Sequence, residues 1–317
     1  MNPYLRLHLR VRPAGRGGAG EALPAALIRR VLGKALIDTF CPFGEPRCQA
    51  GDAPGERLTP LDLCHLAESC PYGVLFAASR SSRPPFALYA EPEEAGGALL
   101  EITLLGTAWP LYPWALAALA QAFRNGLGRE RTAWEIERIF RVRPDRSLEA
   151  LGDADLARLS STLTPDALGL AIEPFLAPQP VEVKLLSPVR LLEGGRLLPG
   201  RLPVRFELLI ARILDRVRGV YGDDCSEIFH PAIRPRIEAE ASRVPLLEDA
   251  TEWREVKDYS ARSGAELLLG GKVGRLVYGP EAARFFPILR AGEILHVGKN
   301  PTAGCGRIEV SLPAPPA

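Results

Sequence analysis

The sequence has no uninterrupted apolar run of the roughly 20 residues that a membrane-spanning helix needs. Its first residues, MNPYLRLHLRVRPAG, lack the apolar core of a secretory signal. A cytoplasmic location with no membrane partner is expected. An excess of one charge is missing as well: 39 Lys and Arg meet 38 Asp and Glu, so any nucleic-acid contact must come from a local basic patch. Histidine is scarce, with four in 317 residues and none in the paired spacing of a zinc protease. A nucleophile elbow is absent too. The familiar phosphate-binding signatures fail in detail. Five residues separate Gly292 from Gly298-Lys299 where a P-loop has four, and Asn300 follows where Ser or Thr is required. Gly304-Cys305-Gly306 lacks the third glycine of a dinucleotide fingerprint. These absences argue against the ordinary nucleotide enzymes.

What is present is a globular composition, 47% apolar and 24% charged, in a chain long enough for two domains with real cores. YLRLHLRVR (4–12) alternates as a half-buried strand does. ALIRRVLGKALIDTF, opened by Pro24, repeats at helical spacing. An irregular Cys- and Pro-rich insert runs from Cys41 to Pro92, containing the strand-like VLFAAS and FALYAE. GALLEITLLG (97–106) reads as a strand, 109–126 as a helix stopped by Gly126, and 131–142 as a strand. After a proline-rich linker near 174–180 the pattern restarts: VEVKLLSPVRLL as strand, PVRFELLIARILDRVRG as helix, LLLGGKVGRLVYG as strand, PEAARFFPILRAG as short helix and GRIEVSL as strand. The expected fold is α+β, two tandem ferredoxin-like (RRM-like) β-α-β-β-α-β domains over 1–178 and 179–317.

HVGKNPTAGCG follows FFPILRAGEIL and is preceded by LLLGGKVGRLVYG. Upstream stand WREVKDYSARSGAELLLGG, CPYGVLF and ITLLGTAWPLYPWALAALAQAFRNGLGRERTAWEIERI. Taken in order, these stretches resemble the CRISPR repeat-RNA processing endoribonucleases of the RAMP superfamily, over residues from about 20 to 312. The resemblance implies two ferredoxin-like folds and a metal-independent cut. In that reaction a ribose 2′-OH attacks the adjacent phosphate and leaves a 2′,3′-cyclic phosphate. The step needs a base, an acid and positive charge for the phosphorane. The resemblance points to His296 as acid or base and to Tyr259 as a catalytic phenol that orients the attacking hydroxyl. Many members carry a histidine on or just after the first helix, where this chain has Lys34; His65, in the insert, is a possible substitute. Arg262, Lys272, Arg275, Gly298, Lys299, Gly304 and Gly306 are the expected RNA contacts, with Lys257 where members often have arginine. A run of backbone N–H groups at the glycines can cradle a phosphate. The alternative is a non-catalytic RAMP subunit that binds repeat RNA beside other CRISPR effector subunits.

Cys41, Cys48, Cys64 and Cys70 are separated by six, fifteen and five residues, none of them the tight spacing of a zinc finger. Four thiolates could still staple an insert poor in apolar core, so a structural zinc and four half-buried thiols both remain open; no cofactor is expected for catalysis. The arginine-rich stretch PVRLLEGGRLLPGRLPVRFELLIARILDRVRG reads either as an RNA-backbone surface or as an amphipathic helix with a charged face.

Overall fold

The computed structural model describes residues 2–15, 23–42, 64, 66–76, 84–93, 96–128, 130–151, 163–172, 177–260 and 265–313, without the side chains of 259, 260, 265 and 267. Two compact units form. The first is Pro3–Asp166 with Ser260–Ala265; the second is Met1–Asn2, Ala167–Tyr259 and Glu266–Ala317.

In the first unit, β1 (Pro3–Pro13) leads to α1 (Ala25–Phe40) and the short α2 (Pro71–Phe76). Then come β2 (Phe86–Pro92), β3 (Ala98–Leu105), α3 (Tyr112–Arg124), β4 (Trp134–Val142) and β5 (Leu148–Ala150). The sheet order is β2-β3-β1-β4-β5, each neighbour antiparallel. Its first four strands follow the ferredoxin-like order. Alternation drives the layering. Leu5, Leu7, Leu9 and Val11 turn to one face, where Ile28, Leu32 and Leu36 of α1 and Leu116, Leu119 and Phe123 of α3 bury them. Asp166, which opens β6 (Asp166–Ala167), is held by the buried Arg141 at 2.8 Å.

The insert departs from its sequence reading. FALYAE is strand β2, but Val74–Phe76 of VLFAAS belongs to α2. Phe76 explains the choice: its ring stacks on Tyr72 at 5.1 Å and meets Phe86 at 5.3 Å, while Arg29 lies over it at 5.5 Å. A helical turn puts Tyr72 and Phe76 on one side; a strand would also do so, but without the i,i+4 stacking seen.

The second unit repeats the order. β7 (Val181–Val189) precedes a small hairpin, β8 (Leu192–Glu193) and β9 (Arg196–Leu197). α4 (Phe206–Tyr221) and α5 (Arg234–Ala241) lead to β10 (Leu246–Arg254). β11 (Lys257–Ser260) and β12 (Ala265–Leu268) form a second hairpin. β13 (Gly271–Tyr278), α6 (Phe286–Leu295) and β14 (Ile308–Ser311) complete the unit. The main sheet runs β10-β13-β7-β14, again antiparallel throughout. Both units are therefore ferredoxin-like. Phe206 anchors the core, edge-on to Tyr278 at 4.9 Å and to Phe285 at 5.2 Å. α4 and α6 touch at Gly292, where a Cβ would come within 2.6 Å of Ile213. LLLGGKVGRLVYG is two strands, not one, broken at Leu269-Gly270. β10 and α5 carry no clear period in the sequence.

Candidate functional site

The glycine loop begins where α6 ends. His296 caps that helix at φ 59°, ψ 137°, and its side chain has no exposed surface. The buried Arg216 of α4 donates from Nε to the Leu295 carbonyl at 3.3 Å, placing a cation against the negative end of α6. From there the loop is tied down by its own backbone. Val297 N–H donates to Gly306 O at 2.8 Å, Lys299 N–H to Arg190 O at 2.9 Å, and Gly306 N–H to Pro188 O at 3.0 Å. Asn300, left-handed at φ 63°, opens a turn whose Ala303 and Cys305 N–H groups return to the Asn300 carbonyl.

Two glycines are required by this packing. A Cβ at Gly298 would meet the Arg190 carbonyl oxygen at 2.4 Å, and one at Gly306 would meet that of Val297 at 2.1 Å. Both sit at positive φ, 86° and 82°. The N–H groups of Gly304 and Gly306 donate within the protein, to Pro301 and Pro188. The sequence expectation of a phosphate cradle therefore finds those two donors already in use. Among residues 296–306 only Lys299 is exposed, with Asn300 and Ala303 half-buried. Cys305 is buried, its thiol 3.8 Å from the Leu269 carbonyl and pushed by burial up to about 12.

The other expected site residues have varied surroundings. Lys272 is buried and bound to Thr251 at 3.0 Å and Asp249 at 3.5 Å. Arg275 pairs with Glu182 at 3.1 Å and with Glu248. Lys34 stands exposed on α1 and pairs with Asp38 one turn on, at 3.3 Å. Lys257 pairs with Glu266 at 3.1 Å across the β11–β12 hairpin. Tyr259 lies on β11 with its side chain undescribed; Arg262, His65 and Cys48 lie outside the described residues. Cys41, Cys64 and Cys70 are half-buried, and no group of three or more metal-ligating side chains gathers among the described residues.

The arginine-rich stretch divides sharply. On α4, Arg212 pairs with Asp215 at 3.0 Å, Arg218 with Asp223 at 3.3 Å, and Arg216 is buried. The hairpin is different. It leaves the sheet just after Arg190, the residue on which the glycine loop docks, and closes through Leu198 N–H to Leu191 O at 2.9 Å. Its Arg196 and the following Arg201 are exposed, with no ion pair to any described residue. The open cations of this stretch thus sit on and just after the hairpin, which joins through Arg190 to the loop that presents Lys299. A positive segment of this kind suits a phosphate backbone.

Two ferredoxin-like units in tandem, the second closed by this loop, define a tandem ferredoxin-like protein. A family model described as CRISPR-associated endoribonuclease Cas6 matches residues 183–308, and the AF_1859_N N-terminal domain model matches residues 2–163. Residues 183–308 thus carry the Cas6 domain of the CRISPR repeat-RNA processing endoribonucleases. Among solved structures, the product complex of Cas6 (TTHB231) is similar with a TM-score of 0.56 at 15% identity, over 96% of this chain and 98% of that one. Thermus thermophilus Cas6 (TTHB231) gives 0.54 at 13%, over 98% and 99%. A Cas6 (TTHA0078) product complex gives 0.51 at 18%, over 98% and 100%. At these identities the likeness speaks for the fold. No curated protein sequence matches the chain. Among the described residues no helix is long and apolar enough to cross a membrane.

Proposed function

We propose that the chain cuts CRISPR repeat RNA without a metal, by attack of a ribose 2′-OH on the adjacent phosphate. The 5′-oxygen leaves and a 2′,3′-cyclic phosphate remains. The observation that carries this reading is the joined loop and hairpin, where Lys299, Arg196 and Arg201 stand open beside a rigid backbone and can take the RNA phosphates. His296, Tyr259 and Lys34 are the candidate proton carriers, chemistry suited to a base at the 2′-OH and an acid at the leaving oxygen. His296 has no exposed surface, so of the three it is the candidate that the cleavage assay tests most sharply. The solved structures similar to this chain include a substrate mimic complex and product complexes of Cas6, which supports repeat RNA as its partner. A partial Cas6-RT-Cas1–Cas2 complex, similar at a TM-score of 0.54 and 13% identity over 46% of its chain, supports other CRISPR proteins as partners.

Single-turnover cleavage tests the assignment. His296→Ala, Tyr259→Phe and Lys34→Ala are compared at saturating protein, with product ends analysed for the cyclic phosphate. The proton carriers are those whose loss slows cleavage about 100-fold or more while RNA binding holds. Product ending in an open 3′-hydroxyl contradicts the mechanism. Zinc, if bound by Cys41, Cys48, Cys64 and Cys70, is proposed as a structural staple only. Metal analysis should then find about one equivalent, lost in Cys64→Ser; zinc-free, folded protein contradicts it.

A further inference from the structure

The glycine loop and the hairpin belong to the second unit. The sheet of the first unit has a face that none of this uses. The alternation that buries Leu5, Leu7, Leu9 and Val11 sends Arg6, His8, Arg10 and Arg12 to the face opposite the helices. Three observations there call for a ligand.

The first is a pair of like charges. Arg10 of β1 lies directly opposite Arg138 of β4. Side chains so placed share one face with Cβ atoms about 5 Å apart, and like charges there destabilise a sheet. Arg10 is partly offset by Glu93 at 3.0 Å. Arg138 is exposed and has no ion pair or hydrogen bond to any described residue. The fold tolerates a cost that an anion would remove.

The second is a fixed histidine. His8 Nε2 lies 2.8 Å from Glu101 Oε2, and Arg6 donates to the same oxygen at 2.6 Å. Glu101 is 2% exposed and His8 16%, so a buried carboxylate holds the ring with only its edge at the surface. The third is an aromatic away from the core. Phe140, directly opposite His8, is half-buried and stands outside the hydrophobic cluster under the helices. On its other side it is paired with the exposed Ala150, and Leu148 of the same edge strand is 54% exposed. A half-buried apolar ring next to two arginines fits neither a core nor an ordinary charged surface.

A phosphate for the arginines and a base for the ring are the two halves of a nucleotide. Single-stranded nucleic acid offers both in alternation, whereas a duplex hides its base faces in the stack. We propose that this sheet face binds an unpaired stretch of the RNA, with Arg138 and Arg10 on a phosphate and Phe140 stacked on a neighbouring base. His8, locked by Glu101, walls the base pocket. The proposal rests on the reading above that the chain handles repeat RNA, and it names a second contact surface for that RNA on the N-terminal unit.

Arg138→Glu separates this from a structural role, because stability and binding should move in opposite directions. Glutamate opposite Arg10 replaces repulsion with attraction, so the melting temperature of the full chain should hold or rise. Affinity for repeat RNA and for a ten-nucleotide oligouridylate should fall about tenfold, and the slope of log affinity against log salt should shrink by about one. Phe140→Ala should weaken both RNAs by about fivefold or more, the scale of losing one stacked base, with the salt slope unchanged. Wild-type affinity in both variants overturns the proposal and leaves the face to a protein partner, while the RNA-processing reading stands. A wild-type chain that binds no RNA overturns both.

Discussion

Gly306 and Lys299, seven residues apart in one loop, should respond to alanine in opposite ways. At Gly306 the backbone is left-handed and a Cβ would meet a carbonyl oxygen at 2.1 Å, so main chain rather than a flexible side chain must yield. Gly306→Ala is expected to cost about 2 kcal/mol or more in urea unfolding. Lys299→Ala removes an exposed side chain and should leave stability within about 0.5 kcal/mol. It should instead weaken repeat-RNA binding severalfold and reduce the salt slope by about one. A loop that only closes the fold would show the first effect without the second. The sequence marks the loop clearly, because glycine and lysine are informative wherever they fall. It does not mark Lys272 and Arg275 as occupied. Their acidic partners, Asp249, Glu248 and Glu182, lie on neighbouring strands 23 to 93 residues away and meet them only through the sheet register. Local charge patterning cannot see such pairs.

At the scale of elements, the same contrast separates what could be read from what could not. β1 and α1 were legible because each buries one face, and that burial writes a period into the sequence. β10 buries little on either side; as an edge strand it needs only β13 as a partner, so LLEDATEWR shows no alternation. The arginine helix and hairpin looked alike in composition, yet α4 spends its arginines on Asp215, Asp223 and the Leu295 carbonyl. The packing of β13 on α4 also has a pH signature. Tyr278 is fully buried and donates to the Val204 carbonyl at 2.8 Å. Burial, with Asp249 and Glu207 adding to it, holds the phenol well above its usual 10.0. The folded chain therefore keeps this proton after the unfolded chain has lost it. The stabilisation is complete below pH 10 and declines as pH rises beyond it. Tyr278→Phe should lose about 1 kcal/mol at neutral pH with the hydrogen bond and show a shallower loss of stability above pH 10. An alkaline limb identical to wild type would mean that Tyr278 does not carry it. Cys305, pushed from 9.0 to about 12 by the same cause, would supply what slope remains.

Over the whole molecule, one strand order appears twice, and each copy uses one sheet face for its helices. The helix faces are hydrophobic and were visible as periodicity. The proposed RNA contacts sit elsewhere, on a docked loop and a hairpin in one unit and on an arginine-lined sheet in the other. Those features depend on which charges are left without partners, a property that only the folded register decides. The claim that joins them is that this chain cuts RNA through the ribose 2′-OH and its own side chains. Its most direct test is incubation of the purified chain with end-labelled repeat RNA in excess EDTA, beside the same RNA carrying one 2′-deoxy sugar at the cut position. Cleavage in EDTA that the single deoxy sugar abolishes is the expected result. Cleavage that stops in EDTA and returns with added magnesium, or that proceeds through the deoxy sugar, would contradict it.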